Sequence, residues 1–243
     1  MMDKYFVAYE SYDAQILESL CGNSDVKGII LGDALCNKRM FRGGISELVL
    51  MMNRVLSSEK TAIYQAPLYV TSRNRDEVAS ILGMMDGYKK ESFVIVQDFG
   101  TAELISREFK NLRTVWGQFG RVRELRFSDE FLKFLCKRNF CGMETGDGAL
   151  AKRLAGFGLV PFFSDAVIGY QTVGRVCYLE YETGRCDPLL CRKGCYSLRE
   201  ENGEYEMTVD GFMLGKKYRR AQPYDTEELC DIPSAELIRR IQE

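Results

Sequence analysis

The 243-residue chain carries 33 basic and 35 acidic residues, a formal net charge of −2, 46% hydrophobic residues and no histidine. That is enough apolar material for a sizeable core, and the charge balance gives no global field that would draw the chain to a nucleic-acid backbone. The lack of imidazole removes the usual general base of hydrolases and the commonest nitrogen ligand of zinc.

The N-terminal MMDKYFVAYE has no basic stretch followed by an apolar run, and no segment approaches about eighteen uninterrupted apolar residues. The expectation is a cytoplasmic protein with neither signal peptide nor membrane span. Its nine cysteines then read as reduced thiols or metal ligands, not as a disulfide framework.

In chain order, short apolar runs alternate with amphipathic stretches, the pattern of parallel βα units. Strands are predicted at Tyr5 to Tyr9, Gly28 to Leu31, Ala62 to Gln65, Phe93 to Gln97, Arg113 to Trp116, Cys141 to Glu144 and Leu159 to Phe163. Helices are predicted at Ala14 to Leu20, Ser46 to Leu56, Arg75 to Met85, Ala102 to Phe109, Ser128 to Lys137 and Gly148 to Phe157. Ser128 followed by Asp129 and Glu130, and Ser46 followed by Glu47, are local helix starts.

These units predict an α/β protein whose residues 1–173 form a (β/α) TIM-like barrel, complete or left open, with a doubly wound sheet as the alternative. Residues 174–243 are expected to form a cysteine-rich, cluster-binding segment. In it Glu204 to Leu214 reads as a strand, and Thr226 to Ile241 reads as a closing helix packed on the barrel.

Polar residues recur at the carboxyl ends of the predicted strands: Asp33, Gln65, Gln97, Asp98, Gln118, Glu144 and Asp165. Any one of them could cap a helix or turn, but their recurrence on one rim marks that rim as the place for chemistry. The basic run Lys216, Lys217, Arg219 and Arg220 lacks an accompanying pattern of stacking aromatics and reads as a solvated turn or helix end, not a phosphate site. Cys21, Cys136, Cys141 and Trp116 fall on core positions of predicted helices and strands.

Cys177, Cys186, Cys191 and Cys195 fall within nineteen residues, and two of them form CRKGC. Without histidine, a metal here is held by thiolates or by thiolates and oxygen, which suits an iron–sulfur cluster or a four-cysteine structural zinc. Cys36 follows the second predicted strand and offers a further ligand that does not depend on Cys186.

The order GIILGDALCNKR, FVIVQDFG, RVREL and VGRVCYLEYETGRCDPLLCRKGC resembles the collagenase-like peptidase family, family U thirty-two, and within it the branch that serves ubiquinone biosynthesis. The most specific part is Cys36, Asn37, Lys38 and Arg39 combined with the later cysteines. The resemblance implies a 4Fe-4S cluster on Cys36, Cys177, Cys191 and Cys195, with Cys186 and Cys230 as alternates.

It also implies a part in anaerobic, oxygen-independent hydroxylation of a small aromatic or quinone-type precursor, with prephenate or another small carboxylate as oxygen donor. The implied partner is a paralogous barrel protein or a second copy of the chain. Arg39, Arg121 and Arg123 are candidate clamps for a carboxylate, and Gln65, Gln97, Asp98, Gln118 and Glu144 complete the candidate substrate set. The competing readings are a non-catalytic iron–sulfur scaffold, an RNA-base hydroxylation factor, and a peptidase. The last is disfavoured by the missing histidine.

Overall fold

The computed structural model describes residues 4–9, 13–32, 45–67, 70, 75–88, 90–117, 128–164, 168–174, 197–202, 205–210, 213–219 and 236–240. Strands and helices alternate from the start: β1 (Tyr5–Tyr9), α1 (Ala14–Gly22), β2 (Val26–Gly32), α2 (Ile45–Ser57), β3 (Thr61–Gln65), α3 (Arg75–Gly87) and β4 (Ser92–Val96). Then come α4 (Phe99–Glu108), β5 (Leu112–Trp116), α5 (Asp129–Lys137), β6 (Phe140–Thr145), α6 (Gly148–Gly156) and β7 (Val160–Ser164). The remaining strands are β8 (Ile168–Gly174), β9 (Ser197–Asn202), β10 (Tyr205–Asp210), β11 (Met213–Arg219) and β12 (Glu236–Arg240).

Local chemistry sets several of the helix starts. The Asp13 side chain accepts from the Gln15 and Ile16 amides, Ser128 from Phe131 N, and Asp147 from Leu150 N. Each satisfies amide donors that the first helical turn leaves without an intrahelical partner.

Seven strands pair in parallel from β1 to β7, and β12 pairs in parallel with both β7 and β1. The ring therefore closes into an eight-stranded barrel in the order β1-β2-β3-β4-β5-β6-β7-β12. Alternation along each strand divides the core in two. Phe6, Ala8, Ile30, Ile63, Ile95, Val115, Cys141, Phe162 and Ile238 fill the interior. The opposite strand faces, among them Val7, Ile29, Tyr64, Val96, Trp116 and Met143, pack under Leu48, Met52, Ile81, Leu132 and Leu154 of the helices.

The amino-terminal end of the barrel is stitched by charge. Lys27 of β2 pairs with Glu236 of β12 and lies over the Phe6 ring; Arg113 of β5 pairs with Glu91 and lies over Phe93. Such partly exposed pairs contribute little each; the Lys27–Glu236 pair spans β1 and links its two neighbours, β2 and β12.

Two compact units result: residues 1–165 with 224–243, and residues 166–223. The second unit is a four-stranded antiparallel sheet in the order β8-β11-β10-β9. It enters the chain between the seventh and eighth barrel strands.

Two expectations are corrected. The closing helix expected over Thr226 to Ile241 is a strand over its described part, Glu236–Arg240, because that segment supplies the last barrel strand and buries Ile238 in the interior. The single strand expected over Glu204 to Leu214 is two antiparallel strands, β10 and β11, with Gly211 between them.

Candidate functional site at the carboxyl-terminal mouth of the barrel

Because all eight barrel strands run parallel, their carboxyl ends share one rim. Gln65 ends β3, Gln97 and Asp98 follow β4, and Glu144 lies near the end of β6. Ile63, Ile95 and Val115 point inward, so Gln65, Gln97 and Gly117, two residues further on, continue the same inner face. A polar layer thus roofs the apolar interior, and it is well buried: Gln65 and Gln97 are 4% exposed and Glu144 is 0% exposed.

Two glycines shape this layer. A Cβ on Gly117 would lie 2.0 Å from Gln97 Nε2 and 2.4 Å from its Oε1, so the Gln97 carboxamide occupies the space that the missing side chain leaves. Gly32, with φ of 117°, is in a backbone region that L side chains avoid, and its Cβ would lie 2.3 Å from the Gln65 carbonyl oxygen. The ends of β2 and β3 therefore meet in close backbone contact beside Gln65.

Backbone bonds extend the ladder past the strand ends: Ala66 N donates to Ile95 O at 2.9 Å, and Gly117 N donates to Val96 O at 2.8 Å. Trp116 is in register with Met143, which brings Gly117 and Glu144 to neighbouring positions one residue further up. Gln97, Gly117 and Glu144 then form a row across β4, β5 and β6. Gly117 carried no signal in the sequence reading. An inward-phase glycine directly after a strand, beside a glutamine on the next strand, was the clue available.

The Gln65 Nε2 is buried and has no hydrogen-bond partner among the described residues.

Asp98 is occupied differently. Its Oδ1 accepts from Thr101 N at 2.9 Å and its Oδ2 accepts from Thr101 Oγ1 at 2.6 Å, so both oxygens serve as the cap of α4. Thr145 is likewise engaged, its hydroxyl oxygen accepting from Asp147 N at 3.0 Å.

Cys141 is a core thiol inside the barrel, donating to Thr114 O at 3.3 Å. Burial pushes its pKa up to about 11, with the nearby Arg113 guanidinium opposing the shift. Such a thiol stays protonated and is neither a nucleophile nor a ready ligand. Cys21 is half-buried and its pKa is also raised by burial, and Cys136 packs against the outer core. Trp116 is buried in the same outer layer, stacked on Phe99. A cavity of about 270 Å³ lies between α4 and α5 on the helix side of the sheet; its lining includes Phe99, Phe134 and Phe140 and the Arg138–Glu103 ion pair.

The remaining candidates, Asp33, Cys36, Arg39, Gln118, Arg121, Arg123, Asp165, Cys177, Cys186, Cys191, Cys195 and Cys230, lie outside the described residues. Cys36 belongs to the connection from β2 to α2, and Cys230 to the one from β11 to β12. Cys177, Cys186, Cys191 and Cys195 all belong to the connection from β8 to β9, the two edge strands of the antiparallel sheet. Among the described residues, no group of three or more cysteine, aspartate or glutamate side chains is gathered so as to hold a metal ion. No described helix is long and apolar enough to cross a membrane. No protein-family model matches the chain, and no curated protein matches it.

Proposed function

We propose that this chain is an iron–sulfur protein of the collagenase-like peptidase family, similar to the ubiquinone-biosynthesis protein UbiV. In this reading it acts as an enzyme, or as a subunit of one, in oxygen-independent hydroxylation of a small aromatic or quinone-type precursor. The observation that carries the reading is a parallel barrel whose carboxyl-terminal mouth holds Gln65, Gln97 and Glu144 in one buried polar layer, in a histidine-free chain with a dense cysteine segment. Barrels of this kind place their chemistry at that mouth.

The donor set suits the cluster. Cys36, Cys177, Cys191 and Cys195 are four soft thiolates with no imidazole to compete, and Cys186 and Cys230 are alternates. A 4Fe-4S cluster so held supplies electron transfer, and a structural zinc on the same thiolates supplies none. The barrel's own residues would bind and orient the substrate: uncharged carboxamides for its oxygens, and Glu144 as the acidic member of the layer.

The partner, a paralogous barrel or a second copy, is proposed on the resemblance alone. The strand ring closes through β12, so an open barrel edge does not argue for it.

The test is anaerobic purification with a visible spectrum, iron and sulfide analysis, and replacement of each cysteine by serine. We expect a broad thiolate-to-iron absorption and loss of iron in Cys191→Ser and Cys195→Ser. Full iron retention in both variants, or a zinc-loaded protein without sulfide, would sink the proposal.

A further inference from the structure

We infer that Gln65 is a substrate-binding residue that donates, through Nε2, to a neutral carbonyl oxygen of a small molecule entering the barrel mouth. The inference rests on the proposed reading of the mouth as the substrate site and narrows the class of compound it takes.

Three observations converge on it. First, Gln65 is 4% exposed, and its Nε2 has no partner among the described residues. A buried donor is costly to leave unmade, and native folds rarely leave one.

Second, its place is fixed by backbone rather than left to side-chain adjustment. Gly32 admits the Gln65 carbonyl at a distance no other residue tolerates, and the next amide, Ala66 N, bonds to Ile95 O. The side chain stands above Ile63 on the inner face, and the layer beneath it (Ile30, Ile63 and Ile95) offers only apolar side chains. An acceptor for Nε2 therefore has to come from the rim layer or from the mouth above it, and no described residue of the rim supplies one.

Third, the layer is poorly solvated: Gln65 and Gln97 are 4% exposed, Glu144 is fully buried, and no lysine or arginine is buried among the described residues. An anionic ligand oxygen brought into it loses its hydration with no cation there to offset the loss. A ketone, quinone or amide oxygen accepts from a carboxamide N–H without that penalty.

The experiment uses the full chain purified anaerobically. Benzamide is the neutral probe, and benzoate is its charged counterpart on the same ring. Binding is read by saturation-transfer NMR titration, stability by thermal unfolding, and iron content is measured on every sample. The variants are Gln65→Met, of similar volume with no donor, and Gln65→Glu, an acceptor only.

We expect the wild-type protein to bind benzamide at least tenfold more tightly than benzoate, and both variants to bind benzamide at least tenfold more weakly. We also expect Gln65→Met to unfold at or above the wild-type temperature, because it removes an unsatisfied buried donor. Four results would overturn the inference: no saturable benzamide binding by the wild-type protein, equal binding of the two probes, unchanged binding in Gln65→Met, or a Gln65→Met unfolding temperature several degrees lower. A wild-type protein without iron would refute the iron–sulfur reading whatever benzamide does, so the two failures are told apart.

Discussion

Cys141 lies among isoleucine, valine and phenylalanine inside the barrel, where its thiolate has little to solvate it, and its pKa is raised from 9.0 to about 11. The unfolded chain releases this proton near pH 9 and the folded protein does not, so between those values the folded state binds more protons. The contribution to stability is full below about pH 9 and is lost as pH rises toward 11, a fall of about 2 kcal/mol. We predict that urea midpoints measured at pH 8 and pH 10.5 fall more steeply for the wild-type protein than for Cys141→Ala. Equal slopes would mean that the thiol is not protected. At this scale the rim was legible: Gln65, Gln97 and Glu144 stand at strand ends because an inward-phase residue there reaches the mouth. What each polar group bonds to was not legible, since the Asp98 partner, Thr101, is a helix-cap choice that strand phase does not encode.

Several helices owe their starts to single side chains. Asp98 satisfies an amide and a hydroxyl at the first turn of α4, and that turn also carries Phe99, which stacks on Trp116 with ring centroids 4.6 Å apart. Asp98→Ala is expected to cost about 1 kcal/mol, and Asp98→Asn a fraction of that, read as shifts in urea midpoint at constant slope. If Asp98 instead served only the substrate, Asp98→Ala would leave the midpoint unchanged. The alternation of strands and amphipathic helices through residue 164 was readable because the periods of two and 3.6 residues are strong there. The segment Glu236–Arg240 was not. In SAELIRRIQE the apolar residues fall at helical spacing, and only the gap between β7 and β1, which lies far away in sequence, turns it into a strand.

At the scale of the whole molecule, closure depends on that one strand. Ile238 is fully buried and completes the interior plug with Phe6, Ala8 and Phe162. Ile238→Ala is expected to cost about 2–5 kcal/mol, from lost burial and the cavity left behind. Glu236→Gln, which weakens the exposed pair to Lys27, is expected to cost less than about 1 kcal/mol. Denaturation of the two variants side by side tests whether β12 is held by packing or by charge; a larger loss in Glu236→Gln would reverse that ranking.

The inserted unit has a consequence for what holds the barrel in one piece. It interrupts the chain between β7 and β12, so a protease cut within residues 175–196 divides the protein into one fragment bearing β1 to β8 and another bearing β9 to β12. The fragments would still share three seams: β12 with β1, β12 with β7, and β11 with β8. Cleavage there turns an intramolecular closure into an association between two chains, and the stability of the nicked barrel then depends on protein concentration, falling on dilution where that of the intact chain does not.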